Sequence, residues 1–300
     1  MTRYPWRFLL LAISIACISS TGLWENHAAA AGAPAWRWQA SLRGSSPGSQ
    51  LKLPTALYVD ESKGRYYVVD SGAQRLVSFD REGKFLQTYA PEGGLVNPYD
   101  LVRLASGELL VVEKGKNSLT LIDLKNKTVV EKTVSHRGRQ IFVDRLEQVN
   151  DAIYVLDKAS GDIFRLDEKF LVSQEYPAPR GAKSVADFQV INGKLWLLGQ
   201  MDKRLYQLDL NGKLLSQHEL GSSLSFPVSF TVDRSGNFYV LDRHLGLVVV
   251  YDQQVRELYR FLGKGHLREK LYYPNEIRFD PWGRLCVVDE GNGRIEIFSR

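Results

Sequence analysis

VVDEGNGRIEIFS (Val287–Ser299) has the pattern of a strand, a polar turn and a second strand. Asp289 closes an apolar run, a turn containing glycine follows, and Arg294 begins a second apolar run. VVDSGAQRLVSFD (Val68–Asp80) has the same order near the other end of the chain. The recurrence of this order indicates an internal repeat, which decides the fold of the whole chain.

Six copies of this motif follow one another in a single register. The residues that close the first apolar run in successive copies are Asp70, Glu113, Asp157, Gly199, Asp242 and Asp289. Successive members of this set are 43, 44, 42, 43 and 47 residues apart, so the last spacing is the longest. The acid is replaced only in the fourth copy, by Gly199. So regular a spacing predicts one structural unit per copy.

Each copy contains four short β-rich runs. In the fifth copy they are Phe230–Asp233, Asn237–Asp242, Leu247–Asp252 and Val255–Gly263, separated by turns rich in Gly, Asn and Asp. Four strands per copy and six copies predict an all-β chain folded as a six-bladed β-propeller. The sixth copy ends at Arg300 after three strands, and Trp36–Gly44 matches the missing fourth strand. We therefore expect the N-terminal strand to complete blade 6 and protect its edge.

The copies VVDEGNGRIEIF and VVDSGAQRLVSF resemble the NHL repeat, whereas LLGQMDKRLYQL (Leu197–Leu208) departs furthest from it. The resemblance covers residues 51–300 and implies six four-stranded NHL-like blades. NHL-like propellers include protein-binding sensors, RNA binders and metal-dependent lyases, and lactonases occur on similar propellers. The resemblance therefore implies the fold without choosing a function.

The first thirty residues have the layout of a signal peptide. Arg3 and Arg7 precede an apolar run at residues 8–18, and small residues follow at 28–35. This layout predicts a signal peptide at 1–30, a leader at 31–34 and the propeller at 35–300. Alternatively, SIAC resembles a lipoprotein box and ends the signal before Cys17, although Ser replaces the usual Leu. We expect a periplasmic or extracellular protein, or a membrane-anchored lipoprotein, with membrane association only if Cys17 is lipidated.

Charged residues recur at two positions of the innermost strand of each blade. The third and fifth residues of this strand lie on the side that can reach the central channel, because side chains alternate along a strand. The charged residues at these positions are the candidate channel residues: Asp100, Arg145, Glu147, Asp187, Glu276 and Arg278. In one interpretation they form ion pairs in a wet channel and no cofactor is bound. In the other, Asp100, Asp187 and Glu276 bind Ca²⁺ or another divalent cation.

Three histidines are predicted on one face of the disc. His136, His244 and His266 fall in turns between strands two and three or in loops between blades, while His218 lies within a strand. Three histidines on one face are similar to the histidine ligands of a metal site, which the resemblance to NHL-like lyases implies. The matching H-x-x-P context is missing, so solvated loop histidines are the simpler interpretation.

The same loops carry many Lys and Arg residues and define what we call the basic face. Its partner-binding candidates are Arg137, Arg139, Arg180, Lys264, Arg268 and Lys270. The opposite face carries turn-closing aspartates, and the chain as a whole has a formal net charge of +5. Such an asymmetry favours an anionic partner at the basic face. Nucleic acid is not expected, because export separates the protein from it and these loops lack interleaved aromatic residues.

Three functions follow from these features. The first is a non-catalytic exported interaction propeller that binds a protein or an anionic envelope polymer, since the sequence contains no G-x-S-x-G or H-E-x-x-H motif. The second is a divalent-metal-dependent enzyme resembling a lactonase or lyase, with its site at the channel mouth. The third is a monomeric propeller that serves as a scaffold within a larger envelope complex.

Overall fold

The computed structural model describes residues 36–44 and 50–300, and these residues belong to one compact unit. The predicted signal peptide, the leader and the lipidation site at Cys17 lie outside the described residues. Among those residues are six four-stranded antiparallel sheets in a propeller arrangement. None of them forms a helix that is long and apolar enough to cross a membrane. The predicted all-β, six-bladed propeller is confirmed.

Each blade runs outward from the channel in chain order. The strands of blades 1 to 3 are β2 (Pro54–Asp60), β3 (Arg65–Asp70), β4 (Arg75–Asp80), β5 (Phe85–Tyr89); β6 (Pro98–Arg103), β7 (Leu109–Glu113), β8 (Ser118–Asp123), β9 (Thr128–Lys132); and β12 (Val143–Val149), β13 (Ala152–Asp157), β14 (Ile163–Leu166), β15 (Val172–Tyr176). A short hairpin, β10 (Ser135–His136) and β11 (Arg139–Gln140), lies between blades 2 and 3.

Blades 4 to 6 repeat this order. Their strands are β16 (Val185–Ile191), β17 (Lys194–Gly199), β18 (Arg204–Asp209), β19 (Leu214–Glu219); β20 (Pro227–Val232), β21 (Phe238–Asp242), β22 (Leu247–Tyr251), β23 (Glu257–Leu262); and β24 (Glu276–Phe279), β25 (Leu285–Asp289), β26 (Arg294–Ser299) with β1 (Arg37–Leu42). Single 3₁₀ turns occupy Ser71–Ala73 and Glu290–Asn292.

The N-terminal strand closes the ring as predicted. β1 pairs antiparallel with β26, with Arg37 opposite Ser299 and Leu42 opposite Ile295. Trp38 adds a side-chain bond across this pair, because its Nε1 donates to Glu296 at 2.7 Å. Blade 6 therefore consists of strands from both ends of the described chain, and β26 has no open edge.

The hydrophobic cores lie between neighbouring blades. The core between blades 6 and 1, for example, contains Leu42, Tyr66, Val77, Cys286 and Ile295, all with essentially no exposed surface. Alternation along each strand sends one set of side chains to each neighbouring blade. Cys286 is thus a packing residue, as its position between Leu285 and Val287 predicts.

The acid that marks each repeat anchors the loop that enters the same blade. Asp70 accepts a hydrogen bond from the Lys52 backbone N–H at 2.8 Å, and Asp289 accepts one from Tyr272 N–H at 2.7 Å. In blade 4 the anchoring acid lies three residues later in the sequence: Asp202 accepts a hydrogen bond from Lys183 N–H at 3.0 Å. A Cβ at Gly199 would lie 2.4 Å from Asp202 Oδ1, so the glycine makes room for the displaced acid. These contacts fix the loops of the basic face.

Candidate functional site: the channel and the basic face

The structure brings together all six predicted channel residues. They line one small cavity of about 60 Å³, where the innermost strands meet around the propeller axis. Asp100, Arg145, Asp187 and Glu276 are buried, while Glu147 and Arg278 are partly exposed. The alternation rule therefore identifies the correct side of each strand.

No further strand pairs with the channel edge of each innermost strand. Channel side chains instead accept hydrogen bonds from its backbone N–H groups. Asp100 accepts hydrogen bonds from the backbone N–H of Leu101 and of Leu146 in the next blade, both at 2.8 Å. Asp187 does the same for Phe188 and for Phe230 of the next blade, at 2.9 and 3.1 Å. Unpaired buried N–H groups are costly, so these carboxylates stabilise the junctions between blades.

Three of the four remaining junctions use Glu276, Ser229 and Glu147. Glu276 joins blade 6 to blade 1, since it accepts from Leu57 N–H at 3.0 Å. Ser229 Oγ accepts from Ile277 N–H at 3.2 Å and donates to Asp187 at 2.7 Å. Glu147 accepts from Val190 N–H of blade 4 at 2.7 Å. The equivalent backbone N–H of all six innermost strands, at Leu57, Leu101, Leu146, Phe188, Phe230 and Ile277, is thereby satisfied.

Two arginines neutralise part of this negative charge. Arg278 Nε lies 2.8 Å from Glu276 Oε1 in an ion pair. Arg145 lies among the channel carboxylates without a direct ion pair in the described residues, and its Nη2 donates to Asn275 O at 3.1 Å. The ion-pair interpretation therefore applies directly to Arg278, while Arg145 acts through its charge and its backbone contact.

Burial strongly perturbs the channel carboxyls. Burial raises the pKa of Glu147 to about 8, despite the hydrogen bond from Val190. Burial and the charge of Glu276 raise the pKa of Asp100 to about 7, opposed by Arg145. Burial also raises the pKa of Asp187 to about 6, again opposed by Arg145. Perturbed carboxyls in a cavity are typical of functional sites, but buried structural networks produce the same shifts.

The arrangement does not suit the divalent cation predicted as the alternative at Asp100, Asp187 and Glu276. Oxygens of these carboxylates already accept N–H or O–H donors, and the guanidinium of Arg145 lies in the same cavity. Across residues 36–44 and 50–300, no three His, Cys, Asp or Glu side chains are placed so that they could hold a metal ion. Cation binding remains a prediction for metal analysis to test.

Hydrogen bonds cross the channel at its basic-face end. Tyr99 of blade 2 donates from its hydroxyl to Asn275 Oδ1, at the entry to blade 6, over 3.2 Å. Asn275 also accepts from Arg145 of blade 3 through its backbone oxygen, and it donates to Thr55 O of blade 1 at 2.7 Å. Lys114 Nζ lies 2.8 Å from the centroid of the Tyr99 ring. Four blades are thus tied together across the axis at this end.

The channel widens toward the opposite face instead. A cavity of about 930 Å³ on that face shares Glu147, Gln189 and Arg278 with the small channel cavity. Tyr58 and Thr231 also line it. The sequence predictions place the channel mouth without choosing a face. The informative signal lies at the second residue of the innermost strands, where Tyr99 is the one aromatic residue and Asn275 the one amide.

The six predicted residues of the basic face have different environments. Arg180, Lys264, Arg268 and Lys270 are exposed and form no ion pair within the described residues. Arg268 lies over the Trp38 ring, with Cζ 3.9 Å from its centroid, and Lys264 Nζ is 5.0 Å from the Tyr273 ring. Trp38 lies in β1, far from Arg268 in the sequence. Tyr273 lies in the same loop as Lys264, so the expectation that these loops lack interleaved aromatic residues is wrong for the loop between blades 5 and 6.

Arg137 and Arg139 pair with carboxylates instead. Arg137 lies 3.1 Å from Glu175, and Arg139 lies 2.5 Å from Asp157, the repeat acid of blade 3. Arg139 therefore ties the β10–β11 hairpin to blade 3 as well as contributing charge. Arg294, which belongs to the repeat motif of blade 6, is buried between Asp289 and Glu296 and is unavailable to a partner.

The four histidines of the described chain do not converge. His136 contacts Glu175 at 3.2 Å, His244 stacks on Phe226, and His266 contacts Asn292 at 2.7 Å. His218 lies in β19 near Trp196. None of them lines the channel cavity. The geometry is that of separate loop and strand histidines.

Solved structures of other six-bladed propellers are similar to this chain. A streptogramin B lyase matches with a TM-score of 0.66 and 12% identity, covering 88% of this chain and 97% of that one. Virginiamycin B lyase from Staphylococcus aureus matches with a TM-score of 0.64 and 12% identity, covering 89% of this chain and 100% of that one. A gluconolactonase from Xanthomonas campestris matches with a TM-score of 0.66 and 13% identity, covering 87% of this chain and 98% of that one. This likeness shows the fold.

Sequence comparisons add no family. No protein-family model matches the chain, and the search of curated proteins finds no match. The resemblance of its repeats to the NHL repeat therefore rests on the motifs themselves. Lyase and lactonase activities belong to the structural neighbours.

Proposed function

We propose that this protein is an exported, non-catalytic propeller that binds an anionic partner, a protein or an anionic envelope polymer, through its basic face. One contrast carries the proposal. The charged side chains of the channel are bonded to the ring itself, whereas Arg180, Lys183, Lys264 and Lys270 are exposed and form no ion pair with another described residue. Exposed charge of one sign is what steers an oppositely charged partner.

The test is retention on an immobilised polyanion. Residues 33–300 are applied to a poly-L-glutamate matrix and eluted with salt, alongside a variant carrying Arg180→Glu, Lys183→Glu, Lys264→Glu and Lys270→Glu. A control carries Lys63→Glu, Lys84→Glu, Lys125→Glu and Lys213→Glu, which are exposed on the opposite face. Both variants change the net charge equally, so only the location of the charge differs.

The basic-face variant should elute near physiological salt, where screening acts within about 8 Å. The wild-type protein and the control should be retained to higher salt. Equal elution of the two variants would contradict the proposal, because binding would then depend on net charge alone.

A metal-dependent lyase or lactonase is the second candidate. The raised pKa values of Glu147 and Asp100 and the likeness to lyase and gluconolactonase structures favour it. The hydrogen bonds already made by the channel carboxylates argue against it. Metal analysis separates the two candidates, and it must precede any screen of lactones or esters.

A further inference from the structure

Every blade presents a large exposed apolar side chain on the basic face. These side chains lie in loops that enter a blade or in turns between its second and third strands: Leu53, Val96, Phe142, Met201, Leu245 and Leu267. The most exposed are Leu267, at 78%, and Met201, at 63%. Single exposed apolar residues are ordinary, but one on each blade of the same face is a pattern that needs a cause.

The same loops are rich in exposed bases and poor in exposed acids. The exposed bases of the described loops are Arg43, Lys52, Lys116, Arg137, Arg139, Lys158, Arg180, Lys183, Lys264, Arg268 and Lys270. Their exposed carboxylates are Glu92 and Glu269. Apolar tips surrounded by positive charge match a surface that is apolar beneath an anionic layer.

The loop between blades 5 and 6 displays this combination most clearly. It contains the longest repeat spacing, and insertions in repeat proteins often mark the binding face. Backbone bonds from Gly265 N to Leu271 O and from Leu271 N to Gly263 O, both 2.9 Å, fold it into a compact turn. Buried Arg294 donates to Leu267 O and Lys270 O at 2.9 and 2.6 Å. Leu267 is therefore held outward by the loop's own structure.

We propose that the basic face docks on the surface of an anionic phospholipid bilayer, with Leu267 and the neighbouring apolar tips entering the headgroup region. This inference rests on the basic face of the proposed function as the binding surface. It replaces the protein or envelope polymer named there with a lipid surface, and it does not require lipidation at Cys17. The tips are distributed around the whole face, and the channel is bridged at this end by Tyr99 and Asn275. A broad face with scattered tips suits a continuous surface, whereas a peptide or small ligand would need a groove.

The test is co-sedimentation of residues 33–300 with vesicles of phosphatidylglycerol and phosphatidylcholine, and with vesicles of phosphatidylcholine alone. Leu267→Asp is compared with Leu171→Asp, a leucine that is 60% exposed in a turn of the opposite face. Both variants exchange an exposed leucine for the same acid. Circular dichroism and thermal unfolding verify that both remain folded.

The wild-type protein and Leu171→Asp should bind the anionic vesicles and ignore the neutral ones. Leu267→Asp should bind them at least about 10-fold more weakly, from the lost insertion of one leucine. Leu267→Asp should still be retained on poly-L-glutamate, because its bases remain. Equal vesicle binding by both variants overturns the inference, as does equal binding to neutral vesicles. Retention on the polyanion without vesicle binding overturns the inference alone, and loss of both overturns the proposed function as well.

Discussion

Replacing Asp187 with alanine tests whether the channel carboxylates hold the blades together. Asp187 accepts three hydrogen bonds, from Phe188 N–H, Phe230 N–H and Ser229 Oγ, at 2.9, 3.1 and 2.7 Å. Asp187→Ala leaves two backbone N–H groups at the channel without an acceptor, and each costs about 1–3 kcal/mol. Removing a buried carboxyl with a raised pKa offsets part of this cost. We expect a net loss of about 2–4 kcal/mol at neutral pH.

The assay is urea unfolding at pH 7 with excess EDTA, which removes any contribution from a bound metal. Thermal unfolding should show a fall in Tm of roughly 5–15 °C, since 1 kcal/mol corresponds to about 2–4 °C in a domain of this size class. Asp187→Asn retains one oxygen acceptor and should lose no more than about half as much stability. Asp151→Ala, at an exposed turn position, is the control and should resemble the wild-type protein.

A free energy of unfolding of Asp187→Ala within about 0.5 kcal/mol of the wild-type value, the range of ordinary surface substitutions, would show that this carboxylate does not hold the blades together. Destabilisation of the variant only in the absence of EDTA would also contradict that role. That second result would assign Asp187 to a metal site.

Three further perturbations have definite expected results. The folded-state pKa values of Glu147 and Asp100, about 8 and about 7, lie above the ordinary values near 4, so the stability linked to their protonation is full at low pH and lost as pH rises through these values. The urea concentration at the unfolding midpoint should therefore decrease as the pH is raised from about 5 to about 8. A midpoint that increases over this range would contradict the raised pKa values. Arg294→Met leaves Asp289 and Glu296 buried without their cation and should cost about 3–5 kcal/mol in urea unfolding; a neutral effect would show that the pair is dispensable. Deleting residues 36–42 exposes the edge of β26, so size-exclusion chromatography should show association or aggregation, whereas an unchanged monomer would show that closure by β1 is unnecessary.

The architecture follows from features that are visible in the chain. The regular spacing of the repeat acids indicates the number of blades, and the likeness of Trp36–Gly44 to the fourth strand of blade 5 identifies the strand that pairs with β26. Alternation in the innermost strands correctly places Asp100 and Asp187 at the channel. These features depend on the sequence pattern within each repeat, and the structure keeps that pattern in every blade.

Other features depend on which side chains meet across the axis. Tyr99, Arg145 and Asn275 come from different blades, and their contacts cannot be obtained from any one repeat. In blade 4 the acid that anchors the entering loop is Asp202, while Gly199 stands at the position where the other repeats have the acid. The anchor is therefore kept, but an alignment of the repeats does not show it. Spacing in the sequence also cannot distinguish an exposed base from Arg294, which begins β26 beside these loops and is buried.

The metal content of residues 33–300, purified without chelator, decides whether the channel carboxylates brace the ring or bind a cation. If they brace the ring and the basic face binds the partner, elemental analysis should find no stoichiometric Ca or Zn, either in the wild-type protein or in Asp187→Asn. One tightly held divalent ion per chain, lost in Asp187→Asn, would contradict the bracing role and make the lyase or lactonase candidate the leading function.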